Sequence, residues 1–231
     1  MNIGQLVPVI TIDGPGGTGK GTLCHALAHH LQWHFLDSGA IYRVFALAAH
    51  HMQLNVAQIP ELVELATHLN LKFEVLPNGM HRTLLNGADV STTIRTEECG
   101  QWASQFAVIP EVRQALLERQ RRFALEPGLV TDGRDMGTVV FPNAFLKIFL
   151  TASVEERAKR RLLQLQAQQI DVSLAQVVEE LTKRDERDQK RQASPMQPAV
   201  DAIIVDTTAK SIHEVLDEIL TLVNDRFNRS H

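Results

Sequence analysis

The chain has 231 residues, 44% of them hydrophobic and 22% charged, which is the balance of a folded globular protein and excludes a disordered or fibrous one. A formal net charge of -4 excludes a bulk nucleic-acid binder working through a basic surface, although a local anion pocket is still allowed. The two cysteines, Cys24 and Cys99, match no metal-ligand spacing and are too few for a disulfide scaffold, so both are expected as buried thiols.

Leu6 to Asp13 reads as a β-branched strand, and its apolar run is strand-sized and broken by Pro8. No basic region precedes a long apolar stretch, and nothing reaches the roughly 18 apolar residues of a membrane-spanning helix, so a cytoplasmic chain without membrane contact is expected. Next comes Gly14-Pro15-Gly16-Gly17-Thr18-Gly19-Lys20, two glycines separated by four residues and followed by lysine. Glycines let the backbone curl round an anion with its amides inward, and a helix amino terminus adds favourable dipole character. Leu23, Ala26, Leu27 and Leu31 recur at helical spacing, so a helix over Thr18 to Leu31 follows directly from the loop. After Lys20 the usual Ser or Thr is replaced by Gly21, and a hydroxyl arrives only at Thr22. That order favours a metal held largely by phosphates and waters, with Thr22 and Asp132 as candidate contacts.

A second helix is expected from Ala40 to His51, and Glu61 to Leu69 is helical. Leu71 to Leu76 and Met80 to Leu85 read as short strands around Pro77-Asn78-Gly79, with another turn at Asn86-Gly87. Helical spacing returns from Cys99 to Phe123, broken or kinked at Pro110. Leu129 to Thr131 and Ala144 to Leu150 are strands, and a charged helix starts near Ser153, with Glu156 three residues on in capping-box spacing. Polar sequence from Gln164 to Gln169 leads to a helix over Ser173 to Lys190. A last strand, Ala202 to Val205, precedes a helix capped by Ser211 and Glu214.

Strands alternating with helices predict an α/β fold with a mainly parallel sheet covered on both faces. Ligands in such folds bind beyond the carboxyl ends of the strands. Arg184, Asp188 and Arg191 are spaced to share one face if the helix continues that far, a pattern that equally describes a solvated, ion-paired surface. The ten histidines, with pairs at His29-His30 and His50-His51, form no ligand constellation.

Three segments carry a resemblance: Gly19 to Thr22, Asp37-Ser38-Gly39-Ala40-Ile41-Tyr42-Arg43, and Asp132-Gly133-Arg134-Asp135-Met136-Gly137-Thr138. In order and spacing, up to about Asp225, the chain resembles the bacterial cytidylate kinases among the nucleoside monophosphate kinases. The resemblance implies a P-loop NTPase-type core with a parallel sheet, an antiparallel monophosphate-binding insertion over residues 60–98, and a helical lid over about 157–170. Residues 1–59 and 99–231 would form the two parts of the core. The implied reaction is phosphoryl transfer from ATP, with Mg2+, to CMP or dCMP.

The residue roles implied are these. Gly14 to Thr22, with Arg160, would hold ATP; Lys20, Arg134, Arg191, Arg157 and Arg161 would stabilise the transferring group. Arg43, Arg134 and Arg191 would bind the CMP phosphate, with Ser38 and Tyr42 beside it; Ser104, Arg113 and Asp135 would read cytosine; Arg184 and Asp188 would take the ribose hydroxyls. Small-molecule nucleotides are then the partners, and a monomer is expected. An adenylate- or shikimate-type kinase and a nucleotide-binding switch share the loop. Substrate-side arginines and the lack of an Asn-Lys-x-Asp guanine pattern oppose the switch.

Overall fold

The computed structural model describes residues 7–75, 81–167, 169–190 and 195–229. In chain order the elements are β1 (Val9–Asp13), α1 (Lys20–Leu31), β2 (His34–Asp37), α2 (Ser38–His51), α3 (Ile59–His68), β3 (Leu71–Val75), β4 (His81–Leu85), β5 (Ala88–Asp89), α4 (Glu97–Phe106) and α5 (Pro110–Arg121). They continue with β6 (Leu129–Gly133), β7 (Leu146–Thr151), α6 (Val154–Ala167), α7 (Leu174–Gln189), β8 (Ile203–Asp206) and α8 (Ile212–Arg229). A 3-10 turn lies at Thr93–Arg95 and a π-helical turn at Met136–Val140. The chain divides into two compact units, Met1–Leu36 with Phe123–His231, and Asp37–Arg122.

The first unit holds a five-stranded sheet in the order β2-β6-β1-β7-β8. β1 runs parallel to both β6 and β7, and β7 runs parallel to β8. Every residue of β1 and β6 is buried, as expected of central parallel strands covered on both faces. Ile10 and Ile12 of β1 pack in one cluster with Leu23 and Leu27 of α1 and Ile219 and Val223 of α8. This packing fixes the carboxyl end of β1, from which the glycine-rich loop leaves. A smaller cluster of Ala158, Leu165, Val177 and Leu181 joins α6 to α7. No helix among the described residues is long and apolar enough to cross a membrane.

The second unit is helical, with α2 against α4 and α3 against α5, and it carries an antiparallel sheet in the order β3-β4-β5. α2 buries Ile41, Val44, Phe45 and Leu47, and the Phe45 ring meets Phe106 of α4 edge-on at 5.5 Å. Glu74 and Arg82 face each other across β3 and β4 and form an ion pair at 2.5 Å. Asn86 and Gly87, both at positive φ, turn β4 into β5 as the sequence predicts.

Several boundaries differ from those expected, each for a local reason. α1 starts at Lys20 because Gly19 is left-handed at φ 89° and Thr18 turns its hydroxyl back to the Pro15 carbonyl at 3.1 Å. β2 was not anticipated, since His34 and Asp37 leave only two apolar residues between them. Pro110 separates two helices and begins the second, where its missing amide is not needed. β6 runs on to Gly133, so Asp132 belongs to the strand and not to the turn after it. α7 ends at Gln189 with Lys190 as its cap. Leu6, the Leu76 to Met80 stretch with its Pro77-Asn78-Gly79 turn, and Arg191 lie outside the described residues.

Candidate active site

The loop between β1 and α1 is shaped by steric necessity. Gly14 has φ 139°, and a Cβ there would collide with the Leu150 carbonyl of the neighbouring strand β7. Gly17 has φ 83°, and a Cβ there would stand 3.0 Å from the Cβ of Arg157. Inside the loop the Pro15 carbonyl accepts from Thr18 Oγ1 at 3.1 Å and from Lys20 Nζ at 2.6 Å. Lys20 is 6% exposed. Burial, followed by the positive charges of Arg134 and Arg184, lowers its pKa to about 7, against the opposing pull of Asp132. A polyanion delivered into this loop would restore the proton on Lys20, because only the charged amine compensates it.

Two further cations converge on the same place. The position a Cβ would occupy on Gly16 is 3.6 Å from Arg134 Nη2 and 4.0 Å from Arg184 Nη1. Arg134 follows β6 and Arg184 comes from α7. Arg134 donates from Nε to Asp188 Oδ2 at 2.9 Å, and from Nη1 to the Gly133 carbonyl at 3.1 Å. Burial opposes its charge, but Asp188, Asp132 and Asp185 outweigh that effect and raise its pKa above the usual guanidinium range. Removing one member of such a buried pair costs about 3–5 kcal/mol, so Asp188 sets the direction of the Arg134 fork whatever else it binds.

The arginines of α6 do not extend together over the loop. Arg157 is buried, with Nη1 on the Gly16 carbonyl at 3.1 Å and on Asp185 Oδ2 at 2.7 Å. Arg160 pairs with Glu156 at 3.1 Å and donates to the Thr207 carbonyl at 2.7 Å. Thr207 in turn donates to the carbonyl of Thr18 in the loop at 3.3 Å. Arg161 lies partly exposed on α6. Asp132 is 8% exposed at the end of β6, with Oδ2 4.0 Å from where a Cβ on Gly21 would sit, while Thr22 is exposed on α1.

Asp135 is 5% exposed and opens the π-helical turn that follows β6. That turn is pinned from beneath by Asp13, whose Oδ1 and Oδ2 accept from the amides of Met136 and Gly137 at 2.9 and 2.8 Å. Burial raises the Asp13 pKa to about 6, against the stabilising pull of the two amides.

In the second unit, α2, α4 and α5 gather the remaining expected residues. Arg43 donates to the Ile94 and Thr96 carbonyls at 2.8 and 3.2 Å. Its guanidinium occupies the space left by the missing side chain of Gly100, where a Cβ would stand 3.1 Å from Nη2. Ser104 bonds back to the Gly100 carbonyl at 3.0 Å. Arg113 lies over the Tyr42 ring, 5.7 Å from its centroid. Ser38 is 4% exposed and donates to Gln120 Oε1 at 2.8 Å.

The sequence did not mark Asp13, Gln120, Asp185 or Thr207. Asp185 pairs with Arg157 on the neighbouring helix, and Gln120, Asp13 and Thr207 each reach a partner 82 or more residues away, contacts that no local spacing reveals. Among the described residues no group of three or more His, Cys, Asp or Glu could hold a metal ion.

A family model described as cytidylate kinase matches residues 10–225. The cytidylate kinases of Escherichia coli (strain K12 / DH10B) and Shigella boydii serotype 18 are each 55% identical over 215 residues, 93% of this chain and 94% of theirs. Among solved structures, an uncharacterized protein from Eubacterium ventriosum superposes with a TM-score of 0.51 at 13% identity, covering 94% of this chain and 98% of that one. That last likeness concerns the fold alone.

Proposed function

This chain belongs to the cytidylate kinase family and is an ATP-dependent kinase of CMP or dCMP, and from that premise we propose how its side chains divide the work. The observation that carries the proposal is the meeting of three cations, Lys20, Arg134 and Arg184, at a glycine loop that follows the central strand.

The acceptor is a phosphate whose oxygen is already ionised near neutral pH, so no general base is required. The protein's task is to hold two repelling anions in line and compensate the charge that spreads over the transferring phosphoryl group. The loop amides and Lys20 take the phosphates of ATP, Lys20 giving up its bond to the Pro15 carbonyl as they arrive. Arg134, held by Asp188, meets the transferring group, and Arg191 joins it. Arg160 and Arg161 close over ATP and exclude water that would otherwise hydrolyse it.

Mg2+ fits this donor set only as a partner of the phosphates. With no three-ligand cluster among the described residues, buried Asp132 beside the loop and the Thr22 hydroxyl would hold it, largely through water. When bound it neutralises phosphate charge. Arg43 binds the CMP phosphate, with Ser38 and Tyr42 beside it, and Arg184 and Asp188 take the ribose hydroxyls. Asp135 accepts from the cytosine amine, Arg113 donates to the ring acceptors, and Ser104 completes that edge. UMP presents the inverted donor and acceptor pattern along that edge, at N3 and at the 4-substituent, and leaves buried groups unpaired. Residues 60–98 serve as the monophosphate-binding insertion and about 157–170 as the lid. The enzyme is read as a cytoplasmic monomer.

Asp135→Ala tests the base-reading role. The expected result is a loss of about tenfold or more in the CMP-to-UMP ratio of kcat/KM. A slower variant that retained its full preference for CMP would remove Asp135 from cytosine recognition.

A further inference from the structure

We propose that Arg157 and Asp185 form a positioning pair that sets the orientation of the Gly16–Gly17 peptide, and through it the ATP phosphate cradle. This rests on the reading of the Gly14 to Lys20 loop as the ATP site. It assigns Arg157 a different task from reaching over the transferred group, and it gives Asp185 a role where the sequence suggested none.

Two backbone carbonyls and one carboxylate hold the Arg157 guanidinium. Nε donates to the Ala152 carbonyl at 3.2 Å and Nη1 to the Gly16 carbonyl at 3.1 Å, while Nη1 stands 2.7 Å from Asp185 Oδ2 in an ion pair. The side chains of Arg157 and Asp185 are only 7% and 14% exposed, so the ion pair is poorly screened and its geometry is firmly held. Asp185 Oδ1 is buried without a hydrogen-bond partner among the described residues, so the Oδ2 ion pair with Arg157 is the contact a substitution of Asp185 removes.

A trans peptide points its carbonyl and its following amide in opposite directions. Drawing the Gly16 oxygen toward Arg157 therefore aims the Gly17 N–H the other way, toward the inner side of the loop where an anion is cradled. The stem of Arg157 reinforces this from behind, since a Cβ on Gly17 would meet its Cβ at 3.0 Å. Left-handed Gly17, at φ 83°, accommodates the turn. Arg157 stands in the first turn of α6 and Asp185 on α7, and the cluster of Ala158, Leu165, Val177 and Leu181 packs those helices together. The helix pair thereby acts on loop shape without touching nucleotide.

The test is calorimetric titration of the full-length protein with ATP and separately with ADP, without acceptor, for Arg157→Met and Asp185→Asn. Methionine keeps an apolar stem against Gly17 and deletes the guanidinium. Both variants should bind ATP and ADP alike, about tenfold more weakly than wild type, the loss expected for one charge-assisted hydrogen bond. KM for CMP should stay unchanged. Stoichiometry reports the folded fraction and Kd the cradle, so partial unfolding lowers the first and not the second; Arg157→Lys, retaining charge and one donor, should recover part of the affinity. Weakened ATP binding with normal ADP binding in Arg157→Met would mean a direct contact to the terminal phosphate and overturn the proposal. Wild-type affinity for both nucleotides in Asp185→Asn would overturn it too. Lys20→Ala separates the underlying reading: if it bound both nucleotides normally, the loop itself would not be the ATP site.

Discussion

Asp13 ends the central strand one residue before the phosphate loop, yet its carboxylate serves the turn that carries Asp135. Its pKa is raised from 3.8 to about 6 because burial disfavours the charge more than two amide bonds favour it. The native state thus binds this proton more tightly than the unfolded chain does. The contribution is fully present below pH 4 and is lost as pH rises through 6, by about 3 kcal/mol in all. Urea unfolding from pH 4 to 7.5 should show the stability of wild type falling relative to Asp13→Asn over this window; a constant difference would mean Asp13 ionises normally. Gly14 was legible as a loop residue between strand and helix, because its spacing to Gly19 and Lys20 is a local pattern. Asp13 and Asp185 were not, since Asp13 acts on an amide 123 residues away and Asp185 on an arginine of a different helix, neither of which a local spacing shows. Ser104 and Arg113 were visible only by resemblance, as an isolated serine and arginine on helices carry no signal of their own.

Most elements announced themselves through caps and punctuation. Ser153 caps α6 by accepting from the Glu156 amide at 3.2 Å, and Ser173 with Gln176 makes a full capping box on α7. Ser173→Ala should therefore destabilise the protein by about 1 kcal/mol in denaturant unfolding, and no change would show that α7 is held by packing alone. The elements that escaped were those with little pattern: β2 has only Phe35 and Leu36 between polar ends, and the π-helical turn at Met136–Val140 has no sequence period of its own. Gly137 in that turn is required by its setting, since a Cβ would stand 2.9 Å from Thr11 Oγ1. Before β6, Gly128 sits against the Trp33 indole, and a Cβ would enter the ring. Gly128→Ala is expected to lower stability by about 1–3 kcal/mol through overpacking, measured as a fall in urea midpoint. An unchanged midpoint would mean that Trp33 moves aside freely.

At the scale of the whole molecule, an acidic chain gathers Lys20, Arg134 and Arg184 at one glycine-rich loop, with Asp132, Asp185 and Asp188 close enough to hold their charge. Net charge therefore said nothing about the ligand, whereas the loop after β1 did. That loop alone fits an ATPase, a switch or many kinases, and what narrows it is the family to which the chain belongs. The most direct measurement is steady-state ADP release at constant Mg-ATP with CMP, dCMP, UMP, AMP and shikimate as acceptors, repeated with Lys20→Ala. Turnover of CMP and dCMP far above the other three is predicted, with Lys20→Ala slowing every acceptor by about a hundredfold or more. AMP turnover equal to that of CMP, or ADP release indifferent to the acceptor, would contradict it.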